Sequence, residues 1–294
     1  MLRLKSFIST LLILVIAISF TGCAKVPCLQ CASNQSPGEI LKKQEEWKSL
    51  NIKAVQLYQQ GKIREATSAA NDALNFAKKA FGSSNAKVAT SLNNLAELYR
   101  VQGDFKKAES YYNQALLMRK QVLGNEHPDV SLSLNNLATL YVSQKKYNQA
   151  ESLYKESLSI LEKQLGKEHI ELQTPLNNLA DLYKIEGKYL DSELALKRLL
   201  SIFEKANKKE EPAYAKSLND LATVYYFQGK YPESESLFKQ TLSILEKKLG
   251  KNHPETVVVL ENMAEVCKKL GKENEAKIFA DRAKGIRQTN HATG

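Results

Sequence analysis

Apolar positions in this chain recur with two superimposed rhythms. On the short scale, Leu92, Leu95, Ala96 and Tyr99 fall at three- and four-residue steps, which stripes one side of a helix. Gly103-Asp104 interrupts the stripe, the glycine supplying a left-handed turn at the helix end. Phe105, Ala108, Tyr112 and Ala115 stripe a second helix, which Leu123-Gly124 closes. On the long scale the whole pattern returns. The nine residues Ser91 to Tyr99 reappear as Ser133 to Tyr141, as Pro175 to Tyr183 and as Ser217 to Tyr225, each 42 positions on. Val259 to Cys267 ends the series in degraded form. A fixed period of roughly 20–50 residues marks a solenoid, in which each unit buries its apolar face only against its neighbours.

The residues before Ser91 fit the same scheme loosely. Leu41, Trp47, Leu50, Ala54 and Leu57 predict a helix from Glu39 onward, Gly61-Lys62-Ile63 breaks it, and Ala66, Ala70 and Ala73 carry a second one. Terminal units are expected to be atypical because one of their faces meets solvent. At the junctions His127-Pro128 opens a unit, with proline tolerated in a first helical turn. His127, His169 and His253 lie 42 or 84 apart. Equivalent positions in stacked units are offset by about 10 Å at ordinary helix spacing. A metal needs converging ligands, so these histidines read as caps and packing groups, and no metal or cofactor is expected.

The repeat resembles the tetratricopeptide repeat. That family has a large residue, Leu-small, Tyr, a Gly-Asp/Lys-Tyr turn, Ala, an aromatic residue and Ala. The third unit supplies Leu134, Leu137-Ala138, Tyr141, Lys146-Tyr147, Ala150, Tyr154 and Ser157, with Lys145 in the place of the turn glycine. The sixth supplies Leu260, Met263-Ala264, Cys267, Gly271-Lys272, Ala276, Ala280 and Ala283. Units of 42 residues with Leu-Asn-Asn-Leu-Ala and a Leu-Gly-x-x-His-Pro junction look like those of kinesin light chains and their bacterial relatives. The resemblance implies an all-α fold, a right-handed α-solenoid of stacked antiparallel helix pairs. It spans residues 43–285 in about six units, with a disordered tail at 286–294.

The amino terminus is different material. Arg3 and Lys5 precede an almost wholly apolar run, Phe7 to Phe20, and then Thr21-Gly22-Cys23. That reads as a secretory signal over residues 1–22. The run is shorter than the ~20 residues a spanning helix needs. Gly22-Cys23 resembles the bacterial lipoprotein lipobox, with Phe20 where the family usually has Leu. The resemblance implies acylation of Cys23, anchoring in a bilayer and a bacterial cell-envelope location, with Ala24 pointing to the outer membrane in a Gram-negative cell. Residues 23–42 read as a flexible linker. Cys28 and Cys31 within it read as a local disulfide, and Cys267, in a tyrosine slot, as a buried small hydrophobe.

Composition changes this picture little. Apolar residues make up 43% and charged residues 25% of the chain, and the net charge is +10. The lysines are scattered, as in Lys106-Lys107, Lys145-Lys146 and Lys247-Lys248, with no arginine-rich stripe, so a solvated face is expected and not a nucleic-acid site. No phosphate loop, His-Glu-x-x-His or Gly-x-Ser-x-Gly occurs, so no catalytic residues are assigned.

Function is therefore expected on the concave surface lined by the first helix of each unit. By the resemblance, its ligand-facing positions are Asn93, Asn94, Glu97 and Arg100; Asn135, Asn136, Thr139 and Val142; Asn177, Asn178, Asp181 and Lys184; Asn219, Asp220, Thr223 and Tyr226; and Asn262, Glu265 and Lys268. Asn is a mediocre helix former, and its amide carries both a donor and an acceptor. A ladder of such amides is expected to hold the backbone of an extended partner segment; the alternative is that they bond neighbouring helices. The expected role is a protein-interaction scaffold. The alternatives are an accessory or assembly factor for an envelope enzyme or a secretion or pilus machine, and a self-associating spacer.

Overall fold

The computed structural model describes residues 36–292. The segment before Ser36, which holds the apolar run, Cys23, Cys28 and Cys31, lies outside the described residues. Twelve helices occupy the described chain, joined as six consecutive pairs, with no strand among the described residues. They are α1 (Pro37–Gln59) with α2 (Ile63–Phe81), α3 (Ala86–Val101) with α4 (Phe105–Leu123), and α5 (Pro128–Ser143) with α6 (Tyr147–Leu165). A single 3-10 turn, Ile170–Leu172, then leads into α7 (Gln173–Ile185) with α8 (Tyr189–Lys205), α9 (Pro212–Phe227) with α10 (Tyr231–Leu249), and α11 (Pro254–Lys269) with α12 (Glu273–Ala292). Within each compact unit the pairs stack in chain order, α2 on α3 and α4 on α5 in one, α8 on α9 and α10 on α11 in the other, which is the packing of an α-solenoid. The chain forms two compact units, divided inside α6 between Ile160 and Leu161. No described helix is long and apolar enough to cross a membrane.

Both ends are more helical than the sequence suggests. Ser36 caps α1 by accepting from the Glu39 amide at 3.3 Å, so residues 37–42, expected as linker, form its first turns. Helix α12 runs on to Ala292, and Ile286 is buried, so the expected tail from 286 is helical over seven of its residues. Ile286 packs into the cluster around Leu260 and Met263, and that burial holds the last helix down.

The apolar stripes meet where the repeat predicts. Leu95, Ala96, Tyr112 and Ala115 are fully buried, as are Ala138, Ala150 and Phe238. Ala280, the last member of its series, is exposed, because no later described helix covers it. Cys267 is buried in its tyrosine slot. The junction histidines cap as expected: Nδ1 of His127, His169 and His253 accepts from the amides of Asp129, Glu171 and Glu255 at 3.1, 3.3 and 3.3 Å. Lys145 adopts φ 61°, in the slot that glycine fills in the other repeats, and the Lys146 amide still closes on the Tyr141 carbonyl at 2.8 Å.

One link between repeats shows only when successive helices are side by side. Glu109, Glu151, Glu193 and Glu235 are also 42 apart. In the amino-terminal unit, Glu109 on α4 accepts from the Tyr141 hydroxyl at 3.0 Å and from Gln144 at 3.5 Å, with Lys146 at 3.8 Å. In the carboxy-terminal unit, Glu193 on α8 accepts from Gln228 at 2.9 Å and Lys230 at 3.2 Å beyond α9, and from Tyr225 at 3.4 Å. Glu235 on α10 takes Lys272 at 2.7 Å. Glu109, Glu193 and Glu235 each clamp one second helix to the end of the next first helix.

Candidate functional site

The asparagines sit at the seams between successive first helices. In the amino-terminal unit, Asn94 Nδ2 donates to Asn51 Oδ1 at 2.9 Å, and Asn136 Nδ2 donates to Asn93 Oδ1 at 2.8 Å. Asn51 in turn donates to the Trp47 carbonyl, while the Trp47 indole donates to Ser91 Oγ at 2.9 Å. Asn135 donates to the Ser131 carbonyl and to Ser157 Oγ. Exposure decides the role of these residues: 7% for Asn93, 2% for Asn94, 3% for Asn135, 0% for Asn219 and 1% for Asn262. These five are buried, and Asn93 and Asn94 bond across neighbouring first helices, as the alternative reading of the ladder expects. An amide placed one residue after the apolar stripe turns into the gap between helices, where a neighbouring amide satisfies it better than water does. Asn136, Asn177 and Asn178 are half-buried.

In the carboxy-terminal half of each first helix the ligand-facing positions of the resemblance are half-buried or exposed, except Thr223, which is buried. There Glu97 and Arg100 pair bidentately at 2.6 and 2.9 Å. Tyr112 donates to the same carboxylate at 2.5 Å, and Arg100 Nη1 reaches Ser143 Oγ at 3.4 Å. Burial works against the Arg100 charge, but the Glu97 hydrogen bonds raise its pKa overall. Burial together with the Glu97 carboxylate raises the Tyr112 hydroxyl. Asp181 and Lys184 pair at 2.7 Å, and Glu265 and Lys268 at 2.8 Å. The intervening repeats are neutral at these positions. Thr139 bonds the Asn135 carbonyl and the Tyr154 hydroxyl, Val142 is half-buried, and Thr223 bonds the Asn219 carbonyl. The Tyr226 ring packs edge-on against Phe227 and Tyr231, with centroids 5.7 and 5.4 Å away. Ion-pair repeats thus alternate with neutral ones, an arrangement legible in the sequence once the positions are aligned.

Asp220 departs from the series because it stands where an Asn would. It is buried between Lys216 at 2.7 Å and Lys184 at 3.3 Å. Burial alone would raise its pKa, and the two ammonium groups lower it. Burial opposes the Lys184 charge, and Asp220 and Asp181 raise its pKa overall. The lysine pairs of the sequence are largely spent in ion pairs too: Lys107 with Asp104, Lys146 with Glu109, Lys247 and Lys248 with Glu210. One trio, Glu235, Cys267 and Glu275, has the spacing of a metal site, but Lys239 and Lys272 already hold Glu235 at 2.6 and 2.7 Å.

Solved structures with this arrangement are numerous. BtubC (BKLC) from P. vanneervenii is 23% identical with a TM-score of 0.65, over 85% of this chain and 92% of that one. A putative kinesin light chain from Podosopora anserina, with nearly identical TPR-like repeats, is 24% identical with a TM-score of 0.62, over 70% and 98%. PilW, a type IV pilus biogenesis factor, is 18% identical with a TM-score of 0.57, over 83% and 91%. At these identities the likeness is one of fold. No curated protein matches the chain. A tetratricopeptide repeat model matches residues 48–121, 87–163, 141–205, 171–247 and 214–289. Helix pairs whose Leu-Ala (in the sixth repeat Met-Ala) step is buried in every repeat from the second to the sixth, together with those overlapping matches, place this chain in the tetratricopeptide repeat family.

Proposed function

We propose that this protein is a scaffold that docks a partner protein along its first helices, held at a bacterial envelope membrane by acylated Cys23. The observation that carries the docking reading is the accessible side chains on the carboxy-terminal halves of the first helices, α3 and α5 in one compact unit and α7, α9 and α11 in the other. Among them Glu97–Arg100, Asp181–Lys184 and Glu265–Lys268 neutralise one another. In each unit they present hydrogen-bonding groups with little net charge. Such a surface suits an extended, largely uncharged segment better than an acidic or basic one. Asn93 and Asn94 tie neighbouring first helices together and leave recognition to the side chains beyond them.

Photo-crosslinking residues placed one at a time at Val142, Lys184 and Tyr226 test the docking face. Controls at Leu117 and Lys239, exposed on second helices, report the opposite side. One common adduct from the first three sites and none from the controls is expected. Adducts confined to the control sites rule the reading out. The anchor is separable: Cys23→Ser should shift the protein from the membrane to the soluble fraction or leave it as precursor. Unchanged mass and unchanged membrane association would remove the lipid from the proposal while leaving the scaffold intact.

A further inference from the structure

The repeat allows the seams of the two compact units to be compared atom for atom. In the amino-terminal unit both rungs are closed, Asn51 with Asn94 at 2.9 Å and Asn93 with Asn136 at 2.8 Å. In the carboxy-terminal unit neither equivalent rung is closed. The residue that should donate to Asn177 is Asp220, whose carboxylate has no hydrogen to give, and Asn177 Oδ1 is buried without a partner. One repeat on, Asn219 is fully buried, and neither its Oδ1 nor its Nδ2 has a partner. Buried amide groups are ordinarily satisfied, and each orphan raises the free energy of the closed state.

Asp220 replaces the lost rung only in part. Its 2.7 Å partner, Lys216, is on its own helix, and its contact across the seam, Lys184, is longer at 3.3 Å. The opposite edge of the same helix pairs is firmly held. Glu193 takes Gln228 and Lys230 at 2.9 and 3.2 Å, and Glu235 takes Lys272 at 2.7 Å. One edge of each repeat junction is therefore held by charge-assisted bonds, although Gln228 Oε1 there is buried without a partner, while the other edge lacks its amide rung.

We propose that the α7/α9 and α9/α11 seams act as a hinge, with the Glu193 and Glu235 clamps as its pivot. Opening moves the first helices apart, hydrates the amides of Asn177 and Asn219, and changes the separation of Asp181, Tyr226 and Glu265. The amino-terminal unit, with its rungs closed, lacks this freedom. Sub-global openings of this kind are visible to hydrogen exchange as reduced protection of a contiguous element.

Hydrogen–deuterium exchange of the full chain, read by mass spectrometry, tests the hinge without any ligand. Helices α3 and α9 are the fair comparison, since each has one further repeat between it and its end of the described chain. Amides of α9 should exchange on the order of tenfold faster than those of α3, a gap of about 1.4 kcal/mol in opening free energy. Asn219→Leu removes the orphaned groups at similar volume and should slow α9 severalfold. Asn94→Leu breaks a closed rung and should speed α3. Asp220→Asn restores the missing donor and should slow both α7 and α9. Equal protection of α3 and α9 in the wild type overturns the proposal. So does faster α9 exchange in both Asn219→Leu and Asp220→Asn, because the orphans would then be clamping the seam and not loosening it.

Discussion

Glu193 offers the sharpest test of what holds the repeats together. Burial would raise its pKa, but hydrogen bonds from Lys197, Gln228 and Lys230 hold the carboxyl down to about 2. Against an unfolded value near ~4.3, about two units at about 1.4 kcal/mol each set a ceiling of about 3 kcal/mol. The side chains of Lys197 and Lys230 are 54% and 41% exposed, so solvent screens much of that. A loss of about 1–2 kcal/mol in Glu193→Gln is the realistic expectation at neutral pH. Glutamine keeps the volume and an acceptor oxygen, so the change removes charge and little else. The sign follows from the depressed pKa. The contribution is present above the unfolded carboxylate range and is lost as pH falls through that range toward about 2. Urea unfolding followed by circular dichroism, on wild type and Glu193→Gln, should therefore show a difference near about pH 7 that closes by about pH 2. A difference that persists undiminished in acid would refute the charge-based clamp. No difference at neutral pH would show that the geometry carries no energy.

Other perturbations follow from the same structure. Ala138→Leu should overpack the fully buried contact within its helix pair and cost ~1–3 kcal/mol, read as a lower urea midpoint. Lys145→Gly should relieve a left-handed residue and raise stability by up to ~1 kcal/mol, where a loss would mean that the lysine side chain makes compensating contacts. Arg119 is buried and bonds only neutral oxygens, the Asp129 carbonyl and the Ser133 and Thr90 hydroxyls, at a position that Leu161 and Leu245 fill in later repeats. Arg119→Leu is expected to stay within about 1–2 kcal/mol of wild type, while Arg119→Ala, which leaves a cavity, should cost about 2–5 kcal/mol by the same unfolding assay.

The 42-residue period, the Leu-Ala-Tyr stripes, the histidine caps and the left-handed turn at Lys145 were all readable in the sequence. Each is fixed by local backbone chemistry or by a periodicity that one helix face imposes, so neighbours in sequence suffice to state it. The extent of the first and last helices was less readable, because Ser36 and Ile286 act through a cap and a distant packing contact. The Glu109 to Glu235 series was printed in the same register but carried no meaning until helices from successive repeats were side by side. The asparagines make the distinction clearest. Their spacing identified a ladder, yet a helical residue's spacing does not say whether its amide meets solvent or a neighbouring amide. Only the packing of one first helix against the next turned Asn93 and Asn94 into structural rungs. That same packing left Asn177 and Asn219 with groups that nothing satisfies.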